Sequence, residues 1–159
     1  MIAVIDGAGE PASKTRQLQA IVDSAVDVNG IAQFCLGRYW QTASEPQRQA
    51  FLAQFHGVLL DGITAQISAY RGVKVDVGRS QPEAGGTLVS STVIRPQLGP
   101  ARADWLVAQT ASGLKIEDLV AEGTSMRLTR RNDYSAFLSS HGGDVGALLA
   151  AMRQRAAKS

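Results

Sequence analysis

The chain has little of what cross-linking or metal chemistry requires. It carries one cysteine, Cys35, among 159 residues, which excludes an internal disulfide framework. His56 and His141 are the only imidazoles, and with a single thiol they leave a structural zinc site short of ligands. Charge of one sign is scarce too. Sixteen basic against fourteen acidic residues give a formal net charge of +2. The cations are spread from Lys14 to Lys158, with one tight group at Arg127, Arg130 and Arg131. Readers of duplex nucleic acid gather theirs on one face, so nucleic acid is not an expected partner. No apolar run approaches the length that crosses a bilayer. Residues 1–6 lack the basic start and long apolar stretch of a signal peptide, which leaves a cytosolic protein or a processed or trimmed form.

What is present is ordinary globular material, 45% hydrophobic and 19% charged, in a length that suits one domain with a real core. Residues 1–13 are small, acidic and Gly/Pro-containing and read as a flexible lead-in, leaving 14–159 as a single domain. Over 14–37, Leu18, Ile21, Val22, Ala25, Val28, Ile31, Phe34 and Cys35 recur at helical offsets, with Asn29-Gly30 as the expected break and Gly37 as an αL stop. Ser44-Glu45-Pro46-Gln47 carries a capping-box signature with proline in the first turn. A stripe of Phe51, Phe55, Leu59, Ile63 and Ile67 follows, ending at Gly72, which predicts a helix over 45–71 about 40 Å long.

The period then changes. Val73, Val75 and Val77 alternate with polar residues, and 88–94, 103–107 and 114–120 are further strand candidates. Turn-forming stretches at 81–86, 95–101 and 110–113 separate them. Helical spacing returns through Tyr134, Phe137 and Leu138 to a Gly142-Gly143 stop, and Asp144 can cap a last helix with Val145, Leu148, Leu149 and Met152. The expected fold is α+β: a four-stranded antiparallel meander covered on one face by the long helix, with flanking N- and C-terminal helices.

Two blocks resemble a known family. The first is Phe34-Cys-Leu-Gly-Arg-Tyr-Trp40 with Gln-Thr-Ala-Ser-Glu-Pro-Gln-Arg48, Phe51 and Phe55. The second is Ile116-Glu-Asp-Leu-Val-Ala-Glu-Gly123-Thr-Ser-Met126, then Thr129-Arg-Arg-Asn-Asp-Tyr-Ser-Ala-Phe137 and a Gly-Gly-Asp turn. Both are similar to the MlaC, or toluene-tolerance, family of periplasmic phospholipid-binding proteins. The Gly-Gly-Asp ending and the Arg-Tyr-Trp form resemble its HpnM branch, which accompanies hopanoid synthesis. The resemblance spans roughly residues 15–155. It implies a non-enzymatic lipid carrier without metal or cofactor, located in the periplasm with its signal sequence removed. Such a carrier exchanges phospholipid or hopanoid-like chains with an inner-membrane ABC transporter complex and an outer-membrane lipoprotein complex.

A carrier must offer an apolar hollow, because each methylene kept from water is worth about 0.8 kcal/mol. The expected lining is Phe55, Leu59, Ile63 and Ile67 on the long helix opposite Val75, Val93, Trp105 and Val107 on the sheet, with Met126 and Phe137 closing one end. The same residues equally describe a filled core, since an apolar stripe does not itself report a cavity. Arg127, Arg130 and Arg131 are candidates for headgroup or partner contact, or form a solvated face. Tyr39 and Trp40 read as anchors of a helix junction rather than a pocket mouth. Cys35 reads as an inert buried thiol, and Glu122-Gly123 as the end of the last strand.

Two other classes fit the element order. One is a cone-shaped enzyme of ketosteroid-isomerase type, which needs a buried acid or base in an apolar cavity. Asp76, Asp104 and Asp118 lie in strands, and strict alternation sets Asp118 on one face with Ile116 and Val120; a β-bulge or a buried ion pair accounts for that equally well. No nucleophile–base pair accompanies these carboxylates. The other is a protein-interaction module with a filled core.

Overall fold

In the computed structural model, residues 11–65, 72–96 and 98–157 are described. Four helices, α1 (Pro11–Ala25), α2 (Val28–Leu36), α3 (Tyr39–Thr42) and α4 (Glu45–Ala65), precede the strands. The strands are β1 (Lys74–Glu83), β2 (Gly86–Arg95), β3 (Gly99–Thr110), β4 (Gly113–Ala121) and β5 (Thr124–Ser125), followed by α5 (Met126–Ser140) and α6 (Val145–Ala156). The strands pair in chain order, β1-β2-β3-β4-β5, all antiparallel.

The meander is as expected, but the sheet has five strands rather than four. β5 pairs Ser125 with Val120 and Thr124 with Ala121, and two residues are too few to show a period. The tight turn before it places Glu122 at φ 49° and Gly123 at φ 80°. β1 also outruns its predicted end. It continues through Pro82, paired with Thr87, because an edge strand tolerates a missing ladder donor. The turn therefore shrinks to Ala84-Gly85.

The first helix starts at Pro11, three residues ahead of Lys14, and the break after it falls at Val26-Asp27 rather than at Asn29-Gly30. The Asp27 carboxylate accepts the Gly30 N–H at 3.0 Å, so Asp27 caps α2 and the Asn-Gly pair lies inside its first turn. Gly37 does end α2 with positive φ, but at φ 59°, ψ −131°, outside the αL basin and in a region open essentially to glycine alone. The start of α4 matches its local signal. The Ser44 N–H donates to Gln47 Oε1 at 2.9 Å and the Gln47 N–H to Ser44 Oγ at 3.4 Å, the reciprocal pair of a capping box.

The buried core is helical. Val22, Ala32, Leu36, Phe51, Leu138 and Leu149 belong to one cluster drawn from α1 to α6, to which the sheet contributes no residue among those described. Phe51 meets Tyr134 edge-on at 5.7 Å and Phe55 at 5.9 Å, distances at which aromatic pairs attract. The substantial contacts of α4 are with α1, α2 and α6, whereas α1, α2 and α5 reach the sheet at its β4–β5 end. At the β4 edge, Val26 forms a parallel bridge with Ile116, and the Asp27 N–H donates to the Ile116 carbonyl at 2.9 Å.

Candidate functional site: an apolar sheet face and the C-terminal half of α4

Register decides which strand residues share a face, because directly opposed residues point the same way. Val75 pairs with Val93 and Val93 with Ala101. Val89 pairs with Trp105 and Trp105 with Leu119, while Val107 pairs with Ile116. The predicted strand residues Val75, Val93, Trp105 and Val107 therefore stand on one face, which Val89, Ile116 and Leu119 extend. All seven are half-buried, and Val77 on the same face is 72% exposed.

The other face carries Asp104 and Asp118 beside the buried Leu106 and Ala108. A register shift between Leu106 and Val107 puts Ile116 opposite Val107 but Asp118 opposite Leu106. One extra residue in β4, Glu117, thus separates Ile116 and Asp118 onto different faces. Asp118 is buried, and its carboxylate accepts the Ser125 hydroxyl at 2.5 Å and the Arg127 N–H at 3.0 Å. Arg127 Nε stands 3.6 Å away. Asp104, also buried, pairs with Arg102 Nε at 2.9 Å. Asp76 is exposed on the edge strand. Bulge and ion pair together account for the irregularity at Asp118.

On α4 the expected stripe divides. Phe55 is buried between Phe51 and Tyr134 and fills the helical core. Leu59 and Ile63, one and two turns further on, are only half-buried, as are Leu52, Val58 and Leu60. Ile67 lies outside the described residues. Met126 is 42% exposed at the start of α5, while Phe137 packs on the helical core and stacks on His141 at 4.0 Å. Eleven positions of helical rise hold them about 16 Å apart along the axis, so the two do not converge to close one end.

The arginine group is engaged internally. Phe34 lies between two guanidiniums, Arg127 at 4.5 Å and Arg131 at 4.7 Å from its ring centroid. Arg127 also reaches Glu117 at 3.3 Å, and Arg131 donates to the Phe34 carbonyl at 3.3 Å. Arg130, its side chain more open than that of Arg127, stands near Asp133 and over Tyr134. Cys35 is buried beside this group, its thiol 3.5 Å from the Arg127 carbonyl. Burial pushes its pKa up to about 12 against the pull of the neighbouring arginines, which makes it an inert thiol at neutral pH.

Tyr39 and Trp40 act as junction anchors. The buried Tyr39 bonds Ser139 at 3.2 Å and accepts from Arg38 at 2.9 Å, contacts that hold its phenol pKa below the usual value. Arg48 covers Trp40 at 5.5 Å and donates to its carbonyl. A surface cleft of about 360 Å³ beside them is lined by Arg38, Tyr39, Thr42, Gly142 and Gly143, none of which belongs to the expected apolar lining. Among the described residues, no group of three or more His, Cys, Asp or Glu side chains is placed to hold a metal ion, and no helix is long and apolar enough to cross a membrane.

Sequence reasoning missed Val89 and Leu119 as members of the apolar face. For the two apolar residues, pairing with Trp105 supplies the signal once the register is known.

The fold has a solved counterpart. A phospholipid-binding protein from Ralstonia solanacearum, determined in complex with a phospholipid, superposes with a TM-score of 0.84 at 24% identity, over 99% of this chain and 90% of its own. The family model described as MlaC protein matches residues 5–154. The chain therefore belongs to the MlaC family.

Proposed function

We propose that the protein is a periplasmic lipid carrier that holds the acyl chains of a phospholipid, or a hopanoid-like hydrocarbon, against the apolar sheet face and the C-terminal half of α4. One observation carries this reading. The helical core is complete without the sheet, yet both α4 beyond Phe55 and one face of the sheet present half-buried apolar side chains. Apolar surface left short of a partner in a folded domain marks a place for a ligand or another molecule. A chain of ordinary length represents roughly 10 kcal/mol of hydrophobic transfer at about 0.8 kcal/mol per methylene, so only an extended greasy wall competes with a membrane for it. Family membership supports the reading, as does the bound phospholipid of the Ralstonia protein.

In this proposal Leu59, Ile63, Val75, Val93, Trp105 and Val107 form the wall. Phe55 and Phe137 brace it from the core, and Met126 lies at its rim. Arg130 is better placed than Arg127 for a headgroup or an acidic partner. The carrier is the auxiliary component of an ABC-type lipid transport system, exchanging cargo with an inner-membrane transporter complex and an outer-membrane lipoprotein complex. It performs no chemical step and uses no metal or cofactor. The Arg-Tyr-Trp and Gly-Gly-Asp sequences support placing it in the hopanoid-associated branch.

Organic extraction of protein purified natively from a bacterial host, followed by mass spectrometry, tests the proposal. Co-purified phospholipid or hopanoid in near-stoichiometric amount is the expected result. A lipid-free protein that also takes up none from vesicles overturns it and favours an interaction module.

A further inference from the structure

Ser91 is an unusual residue for its position. It stands on the apolar sheet face in a transverse row of Val77, Ser91 and Ala103. Val77 is 72% exposed, yet Ser91 and Ala103 are only 4% and 7% exposed. Small side chains cannot shield themselves, so a larger group covers this pair. Trp105 stands one row away on β3, and its Nε1–H donates to Ser91 Oγ at 2.9 Å. The Ser91 hydroxyl in turn donates to the Ala103 carbonyl at 2.7 Å. The indole therefore reaches diagonally across the strands toward β2. The Ser91 oxygen accepts from the ring on one side and donates to the backbone on the other.

We propose that Ser91 is a positioning residue: it holds the Trp105 indole down over the Ser91–Ala103 pair, so that the ring forms a flat floor on which an acyl chain lies. The physical logic is steric as well as polar. An indole standing upright from β3 occupies the space above the sheet, whereas one laid over two small residues leaves that space open to a ligand. Its single N–H, which is costly to leave unpaired in an apolar site, is satisfied by the protein and makes no demand on the cargo. The floor therefore accepts methylene chains by dispersion and area alone. This inference rests on the lipid-carrier reading above.

The experiment uses intrinsic fluorescence and phosphatidylcholine vesicles with dibrominated acyl chains, whose bromines quench an indole they touch. The chain has two tryptophans, Trp40 and Trp105. Wild-type emission is expected to be quenched on uptake, and Trp105→Phe, which retains only Trp40, is expected to lose most of that quenching. Ser91→Ala is expected to change the near-ultraviolet circular dichroism of the lipid-free protein and to weaken brominated-lipid affinity about fivefold, the factor one typical net hydrogen bond represents. In a Trp105→Phe background the same Ser91→Ala change is expected to have no further effect on affinity. Unchanged dichroism and affinity in a folded Ser91→Ala protein overturn the proposal. So does lipid uptake, seen by mass spectrometry, without quenching of Trp105. Failure of the wild type to take up lipid at all removes the carrier reading and the floor with it, while the dichroism of Ser91→Ala still reports whether Ser91 holds the ring.

Discussion

Asp118 Oδ1 accepts the backbone N–H of Arg127 at 3.0 Å, so the last long strand of the sheet caps the first turn of the helix that follows it. The Ser125 hydroxyl completes the arrangement by donating to Asp118 while accepting the Leu128 N–H at 3.1 Å. A carboxylate at a helix N-terminus is favoured by both the open N–H groups and the helix dipole. The bulge that turns Asp118 away from the apolar face therefore also docks α5, and through Arg127 it orders the arginine–Phe34 stack.

Asp118→Ala is accordingly expected to destabilise the domain by about 2–3 kcal/mol, because it removes a cap and leaves a half-buried guanidinium short of a partner. Asp118→Asn, which keeps an acceptor, is expected to recover part of the loss. Urea denaturation at neutral pH measures both. A cost below about 0.5 kcal/mol for the alanine variant contradicts the capping role.

Alkaline pH is expected to weaken the fold through two buried groups. Desolvation raises Cys35 from 9.0 and Tyr134 from 10.0, each to about 12. Between the unfolded and folded values the native state keeps a proton that the unfolded state has lost. The stability is thus fully present below about pH 9 and falls as pH rises toward 12, by up to about 1.4 kcal/mol per pH unit for each group in that window. Denaturation at pH 8 and pH 10.5 is expected to show the fall, and Cys35→Ala is expected to make it shallower.

Gly142 and Gly143 form the stop before α6, at φ 62° and φ 79°, and differ in their surroundings. A Cβ on Gly142 meets nothing within 4 Å, whereas on Gly143 it comes within 3.2 Å of the Tyr39 ring. Gly142→Ala is expected to cost about 1 kcal/mol, the usual strain of a left-handed residue, and Gly143→Ala more, because the buried Tyr39 has little room to move. Thermal denaturation of the two variants checks the order, and equal costs refute the packing argument.

The wall proposed on α4 predicts a separation of folding from binding. Leu59→Asp or Ile63→Asp places an unpaired charge on a half-buried apolar surface, a cost of several kcal/mol once lipid excludes water from it. Lipid uptake is expected to fall by more than about tenfold while the cooperative unfolding transition persists. Full uptake in a folded variant shows the wall to be misplaced.

Local chemistry was the most legible part of the sequence. The capping box at Ser44 and Gln47, the Asp144 cap of α6, whose carboxylate accepts the Gly146 N–H, and the order of the meander strands all involve neighbours in the chain, and each stands in the structure as read. Errors arose where two local signals competed or where an element was too short to have a period. Asn29-Gly30 looked like a break because both residues disfavour helix, but Asp27 supplies a cap two residues earlier and absorbs them into the first turn. β5 is two residues long and exists only because β4 is there to pair with it.

The amino-acid sequence by itself determined the α+β order, the helix starts capped by Ser44 and Asp144, and the chemical inventory that leaves no internal disulfide possible. Tertiary structure alone decided what each apolar residue touches. Phe55 and Ile63 belong to one helical stripe, yet Phe55 is enclosed by Phe51 and Tyr134 while Ile63 stays half-open, because burial depends on which elements arrive from elsewhere in the chain. Asp118 shows the same limit: a single inserted residue in β4 reverses the face of everything after it, and only the pairing with β3 reveals where that insertion lies.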